Sequence, residues 1–196
     1  MTPVAGAKVG EVTVNALLAN LIAIFLTILL AAGAVTVAML LPHAVPLGHL
    51  EVVWTLVGVF VVLSVHELTH ALSLMVGSNV PWRAFKFGFS WRQFVLYCHC
   101  QQPMTLRAYR TCALAPLVVL GPATVVATLI YPAIWLAIVT AVHLAGCVGD
   151  VWILLRLRRF PDHFLVVDFP DRIGGAVFEP AAELVHSTDR GHMDIE

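Results

Sequence analysis

Four long apolar stretches divide the chain, at residues 16–41 and at about 52–76, 111–130 and 133–155. Each is close to or above the roughly 20 residues that an α-helix needs to cross the core of a bilayer. The first is too long for the core of a signal peptide, and no convincing small-residue cleavage site follows it, so we expect it to be retained. The pattern therefore predicts four transmembrane helices, the last two separated by a tight turn at Tyr131 and Pro132.

A different pattern lies between the second and third stretches. Aromatic residues alternate with small or basic residues from position 85 to position 92, and residues 94–98 follow as a possible partner strand. This period of two predicts a β-hairpin at about residues 84–99. Residues 164–175 indicate short strands around a turn, and we expect the last ten residues to be disordered.

These elements predict an all-α membrane protein with about four transmembrane helices, one small β-hairpin and a short cytoplasmic C-terminal tail. We divide it into a four-span membrane domain, residues 1–160, and a cytoplasmic C-terminal segment, residues 161–196. The composition agrees with a lipid environment, because 60% of the residues are hydrophobic and 12% are charged, against about a quarter charged in soluble domains. The net charge of -1 gives no basic excess, so nucleic acid is not expected as a partner.

The positions of Lys and Arg predict the orientation in the membrane. Lys8 precedes the first stretch, residues 77–110 contain five basic residues, and three follow the fourth stretch at 156–159. The loop at residues 42–51 and the turn at Tyr131 and Pro132 contain none. By the positive-inside rule, both termini and the 77–110 loop face the cytoplasm. We therefore expect the four cysteines to form no disulfide framework, since cytoplasmic thiols stay reduced; they are Cys98, Cys100, Cys112 and Cys147.

The second apolar stretch contains the sequence His66-Glu67-Leu68-Thr69-His70, which matches H-E-x-x-H. On a helix His66 and His70 lie one turn apart on the same face, so both imidazoles can reach one tetrahedral Zn²⁺ ion. Glu67 is close enough to take a proton from a zinc-bound water. The alternative is a polar kink that lines a helix interface. The cost of three ionisable groups at membrane depth favours the metal site.

A catalytic zinc needs a third protein ligand and an open fourth position. Glu67 and Asp150 are the only carboxylates between residues 52 and 161. The distance from Asp150 to the basic cytoplasmic flank of the fourth stretch is about the same as the distance from His70 to the end of the second stretch. The two side chains are therefore predicted to lie at similar depth in the membrane. We therefore favour Asp150 as the third ligand. The alternative is that Asp150 pairs with His143 or caps a break in the helix.

The chain also resembles a known family. Three segments are similar to the zincin peptidases of prokaryotic membranes. They are the H-E-L-T-H sequence within a span, the Arg-Ala-Tyr-Arg start of a span that continues Ala-Pro-Leu-Val-Val-Leu-Gly-Pro, and His143-x-x-Gly-x-x-Gly-Asp150. That family was first catalogued as a domain of unknown function. More distantly, the chain resembles the site-2 proteases, in which a later core helix supplies an aspartate ligand. The resemblance covers roughly residues 50–175 and implies a location in the prokaryotic cell membrane. Gly149 and Val151 flank Asp150 here, unlike the usual site-2 protease pattern, so the resemblance implies the ligand but no shared oxyanion device.

Other polar residues are weaker candidates. His143, Tyr109 and Arg110 are possible substrate-binding residues, with a buried core histidine and interfacial anchors as the alternatives. Cys98-His99-Cys100 could bind a metal or sense redox state, but strand or turn residues are the favoured interpretation.

The sequence as a whole predicts a zinc metalloendopeptidase that cleaves membrane or membrane-proximal proteins, with Glu67 as general base and then proton donor. An extended substrate could add to the edge of the hairpin. A non-catalytic zinc-binding scaffold or chaperone is the main alternative. A metal or proton transporter is disfavoured, because four spans without inverted repeats do not suit one.

Overall fold

The computed structural model describes residues 5–41, 45–91, 95–169 and 172–181, so the expectation for the last ten residues lies outside the described part of the chain. Five α-helices follow one another: α1 (Ala16–Leu40), α2 (His49–Ser78), α3 (Leu106–Ile130), α4 (Ile134–Gly146) and α5 (Val148–Leu157). The first three, and α4 and α5 together, are long and apolar enough to cross a membrane. The prediction of four long apolar helices is confirmed.

Local sequence explains where the helices begin and end. At the start of α2, the Glu51 side chain accepts a hydrogen bond from the backbone N–H of Gly48 at 3.0 Å. At the start of α3, the Thr105 hydroxyl accepts one from Ala108 at 3.2 Å. Both satisfy N–H groups that have no partner within the helix. Asn79 ends α2 in the left-handed conformation, with φ of 52°, which asparagine tolerates better than most residues.

The fourth span is broken in the middle. Cys147 separates α4 from α5 with φ of -66° and ψ of -5°, which lies outside regular α-helical geometry. Gly146 precedes the break and Gly149 follows it closely. Asp150 lies in the first turn of α5, directly after the break.

The structure contains more β structure than we predicted. Its described strands are β1 (Ala5–Thr13), β2 (Phe85–Ser90), β3 (Val95–Cys100), β4 (Met104–Thr105), β5 (Leu165–Asp168) and β6 (Gly174–Pro180). Strands β2 and β3 form the predicted hairpin, and a second, antiparallel sheet has the order β1-β6-β5-β4. The prediction of an all-α fold with a single hairpin was therefore wrong in this respect. The physical reason is that β1 pairs with β6, from Ala5 opposite Pro180 to Thr13 opposite Gly174, and no local pattern reveals so distant a partner.

Both sheets lie at the same end of the helix bundle. The chain passes from β1 into α1, from α2 into β2, from β4 into α3, and from α5 into β5. Because successive spans alternate in direction, these four helix ends lie on the same side of the bundle. Four apolar residues are buried together where the sheet meets the helices: Leu106, Leu157, Val166 and Val177. A Cβ atom at Gly174 would lie 2.0 Å from the carbonyl oxygen of Val12, and Gly174 has φ of +124°. Only glycine allows β6 to approach the end of β1 so closely.

The outer faces of the helices are strongly apolar. Five large apolar side chains are each more than half exposed: Leu21, Phe25 and Ile28 on α1, and Leu56 and Phe60 on α2. A soluble monomer rarely exposes a continuous apolar surface of this extent. The exposed rows are what helices in contact with lipid chains require.

The orientation in the membrane stays a prediction, and single cysteines test it. We expect Leu47→Cys, in the loop between α1 and α2, to react with a membrane-impermeant maleimide on intact cells. Ser90→Cys, at the end of β2, should react only after the cells are permeabilised. The wild type measures the background from the native cysteines. Labelling of Ser90→Cys but not Leu47→Cys on intact cells would reverse the orientation.

Candidate metal centre

His66 and His70 on α2 face Asp150 on α5. The Nε2 atom of His66 lies 3.2 Å from Oδ2 of Asp150, and the Nε2 atom of His70 lies 3.5 Å from Oδ1. The side chains of His66, His70 and Asp150 are 8%, 12% and 19% exposed, respectively. One ligand atom from each lies within 4.8 Å of the other two, so the three could hold one metal ion. The structure thus brings together the three ligands predicted from the sequence.

The geometry of this group fits a metal better than a hydrogen-bond network. Asp150 Oδ2 is buried and lies 3.2 Å from Nε2 of His66, but this contact lacks the angle of a good hydrogen bond. Buried oxygens of this kind are rare, because losing water without a replacement partner is unfavourable. Nitrogen and oxygen ligands placed tetrahedrally at zinc distances would be about 3.4 Å apart. The separations of 3.2 and 3.5 Å agree with that value.

A carbonyl oxygen orients one of the two histidines. The Nδ1 atom of His70 lies 2.9 Å from the carbonyl oxygen of Cys112 on α3. Since a carbonyl only accepts, Nδ1 carries the proton and Nε2 presents its lone pair toward Asp150. This is the usual partner of a metal-binding histidine, and it holds the ring in the metal-binding tautomer. The Nδ1 atom of His66 has no such partner among the described residues.

Glu67 belongs to neither of the possible ligand groups among the described residues. Its side chain lines the same cavity as His66, His70 and Asp150, and the backbone N–H of Cys98 in β3 donates a hydrogen bond to its carboxylate. Strand β3 thus holds the carboxylate beside the ligand group. This is where a general base would have to lie.

A cavity of about 410 Å³ opens in front of this group. Helices α2 and α5 form one wall, and β3 and the end of β5 form the other, with Leu96, Tyr97 and Phe169 among the lining residues. The cavity is therefore built jointly by apolar helices and by strands from two distant parts of the chain. Its size falls within the range of binding pockets for peptides and small molecules.

Asp168, at the end of β5, was not predicted from the sequence. Its carboxylate accepts a hydrogen bond from the backbone N–H of Cys100 at 3.1 Å and another from the hydroxyl of Tyr109. Burial raises the pKa of Asp168 to about 6, although the two hydrogen bonds act in the opposite direction and lower it. The only signal in the sequence was an acid directly after a short apolar run, which does not show what the acid faces.

The three weaker candidates have different surroundings. Tyr109 lines the cavity and bonds to Asp168. His143 is fully buried beside His66, with 5.5 Å between their ring centroids. Arg110 is not among the lining residues. Its guanidinium donates to the carbonyl oxygens of Leu157 and Phe160 at 2.6 and 2.7 Å, where it completes the C-terminal end of α5.

The Cys98-His99-Cys100 segment is part of β3, as the strand interpretation supposed. Burial raises the pKa of the Cys98 and Cys100 thiols. Burial also lowers the pKa of His99. Both thiols are therefore protonated at neutral pH in the absence of a metal, and neither belongs to a possible ligand group among the described residues.

The raised pKa of Asp168 predicts a pH dependence of stability. The folded protein binds the Asp168 proton more firmly than the unfolded chain, whose pKa is 3.8, so stability falls as the pH rises from about 4 to about 6. The loss is at most about 3 kcal/mol, since one pKa unit corresponds to about 1.4 kcal/mol. Asp168→Asn keeps an acceptor for Cys100 and should lose less stability over that range.

Thermal unfolding in detergent between pH 4 and 7.5 measures this difference. Tyr109, His99 and His70 lie near Asp168 and are present in both proteins, so the two curves differ through the Asp168 carboxyl and its effect on these neighbours. Glu179→Gln, which removes an exposed carboxylate on β6, is the matched control and should follow the wild type. Parallel curves for Asp168→Asn and the wild type would contradict the prediction.

Comparison with known proteins agrees with the site. The chain matches no curated protein and no solved structure. Residues 59–165 match the family described as "Putative zincin peptidase", also called DUF3267. The match covers more than half of the chain and includes α3, α4 and α5, His66, Glu67, His70 and Asp150. The chain therefore belongs to the zincin peptidase family.

Proposed function

We propose that this protein is a zinc metalloendopeptidase of the prokaryotic cell membrane, with both termini in the cytoplasm, and that it cleaves membrane or membrane-proximal proteins. The observation that supports this most is the meeting of His66, His70 and Asp150 beside the Glu67 carboxylate. Two histidines and one carboxylate are a ligand set found in catalytic zinc sites. Membership of the zincin peptidase family supports the same chemistry.

His66, His70 and Asp150 would hold the zinc. When bound, zinc supplies a Lewis acid that makes water a stronger nucleophile and polarises the scissile carbonyl. Glu67 accepts the proton of the attacking water and then gives it to the nitrogen of the leaving amine. The backbone N–H of Cys98 keeps the Glu67 carboxylate directed into the cavity during both transfers.

The substrate would lie along the edge of β3 as an added strand. The N–H groups of Cys98 and Cys100 point away from β2, since they donate to Glu67 and Asp168. Backbone groups two residues apart point to the same side of a strand, so the N–H and C=O of Leu96 also point to this edge. Leu96 lines the cavity. An extended peptide that pairs there would pass in front of the ligand group.

The location of the cavity favours substrates from the membrane. Its ligand side chains lie within apolar spans, whereas β3 and β5 lie at the end of the bundle. A helical segment that leaves the bilayer at this end would have to unwind, because strand pairing needs an extended backbone. The partners are then the lipid bilayer and a membrane protein or peptide.

Three substitutions separate metal binding from catalysis. Glu67→Gln keeps the shape of the side chain but cannot take a proton, so it should retain zinc and lose about 10²- to 10⁴-fold in cleavage rate. His70→Ala should lose both zinc and activity. Asp150→Asn should retain zinc less well, because a neutral amide is a poorer ligand than a carboxylate. Glu179→Gln is the matched control, with zinc content and rate unchanged.

Zinc content is measured by elemental analysis of the purified protein. Cleavage is measured in detergent with a peptide library, in which mass spectrometry identifies new N-termini. Cleavage by Glu67→Gln at the wild-type rate would refute the role of Glu67. A wild type that holds zinc but cleaves no peptide or membrane substrate would instead favour the scaffold or chaperone alternative.

Two proline substitutions test the docking edge. Leu96→Pro removes an N–H that points to the cavity while leaving the pairs between β2 and β3 intact. Phe87 lies opposite Cys98, so its N–H points to the outer edge of β2, and Phe87→Pro is the matched control. We expect Leu96→Pro to raise KM at least several-fold with normal zinc content, and Phe87→Pro to behave like the wild type. Equal effects of the two substitutions on cleavage would exclude strand addition at β3.

A further inference from the structure

A second set of possible metal ligands lies directly behind the first. His143, Cys147 and Asp150 are spaced by four and then three residues along α4 and α5, so they occupy one face of the broken span. Spans two and four run in the same direction along the bundle, since one span separates them. Asp150 lies opposite His66 and His70. Cys147 and His143 lie one and two turns earlier along the same face, and neither has a role in the proposed peptidase chemistry.

The histidine nitrogens at this second set are buried without partners among the described residues. His143 is 0% exposed, and neither of its ring nitrogens makes a hydrogen bond with any described residue. The Nδ1 atom of His66 is also buried and lacks a partner there. An imidazole always has at least one N–H to donate, so a fully buried ring without an acceptor is unfavourable. Three such nitrogens on two neighbouring rings indicate that something else lies between them.

The same groups can converge on one ion. One ligand atom from each of His66, His143 and Cys147 lies within 4.8 Å of the other two, and all three residues are buried. The rings of His66 and His143 meet edge to face, with 5.5 Å between centroids. Cys147 is 1% exposed, and its sulfur donates a hydrogen bond to the carbonyl oxygen of His143, one turn earlier, at 3.4 Å. Two imidazoles and one thiolate are ligands that zinc binds well.

We propose that His66, His143 and Cys147 form a second metal site for a thiophilic divalent cation such as zinc, next to the first site and sharing His66 with it. His66 bridges the two sites. Its Nε2 atom faces Asp150, and its unpartnered Nδ1 atom serves the second ion. Binding releases the protons of the Cys147 thiol and of the His66 ring, since both must be deprotonated to act as ligands.

The second ion would orient His66. The carbonyl oxygen of Cys112 holds the ring of His70 through its Nδ1 atom, whereas no described residue holds the ring of His66 in that way. An ion on Nδ1 would fix the position of that ring. Cys147 and Asp150 lie one turn apart, so a sulfur and a carboxylate from one span face the same histidine.

Cobalt substitution tests the second site independently of peptidase activity. A cobalt ion bound to a thiolate shows an intense near-ultraviolet charge-transfer band that an ion held only by His66, His70 and Asp150 lacks. We expect the full-length wild type, purified in detergent and loaded with cobalt or zinc, to bind two ions per chain and to show this band. Cys147→Ser should bind one ion and lose the band.

The control is Cys112→Ser, because the Cys112 sulfur lies 3.7 Å from Nδ1 of His70 but belongs to neither possible ligand group. It should keep two ions and the band. If Cys147→Ser does not fold, His143→Gln should likewise leave one ion per chain. A wild type that binds one ion without the band, or a band that persists in Cys147→Ser, would overturn the proposal.

A wild type with one ion and no band would mean that the space between His66 and His143 holds ordered water instead. Failure of the peptidase proposal gives a different result. The ion count and the charge-transfer band would be unchanged, and only the cleavage measurements would be negative. Asp150→Asn should weaken the first site while the band from the second remains.

Discussion

Ionisable side chains in apolar helices are the constraint on which this structure depends. His66, His70 and Asp150 each lie within a span that could cross a membrane, where an unpaired ionisable group is strongly unfavourable. The helices pack so that these groups face one another inside the bundle, where their side chains are mostly buried. The arrangement of α2 against the broken fourth span follows from this requirement, and a bound metal ion would satisfy it best.

The break at Cys147 and the neighbouring strands convert this pairing into a cavity. Asp150 lies in the first turn of α5, directly after the break, and faces His66 and His70. Strand β3 then covers the group, and its N–H groups hold the carboxylates of Glu67 and Asp168. Helices supply the candidate ligands, and strands position the candidate base and line the cavity.

The two histidines of the motif have unlike surroundings. His70 is oriented by a carbonyl oxygen from α3, while His66 is enclosed by His143 and Cys147 on the fourth span. Residues that orient ligands are usually as important to a metal site as the ligands themselves. The asymmetry suggests that the site is organised from two sides, by α3 through a hydrogen bond and by α4 through a second ion.

The sequence by itself determined the features that depend on local periodicity: four apolar spans, the β2–β3 hairpin, and two histidines one turn apart with an acid between them. It also indicated Asp150, because acids are rare in apolar spans. Only the tertiary structure decided the four-stranded sheet, whose strands β1 and β6 are joined across almost the whole chain. It alone placed Asp168 in the cavity and Arg110 at the end of α5. The physical reason is that pairing with a distant strand and burial against another helix leave no periodic pattern within either segment.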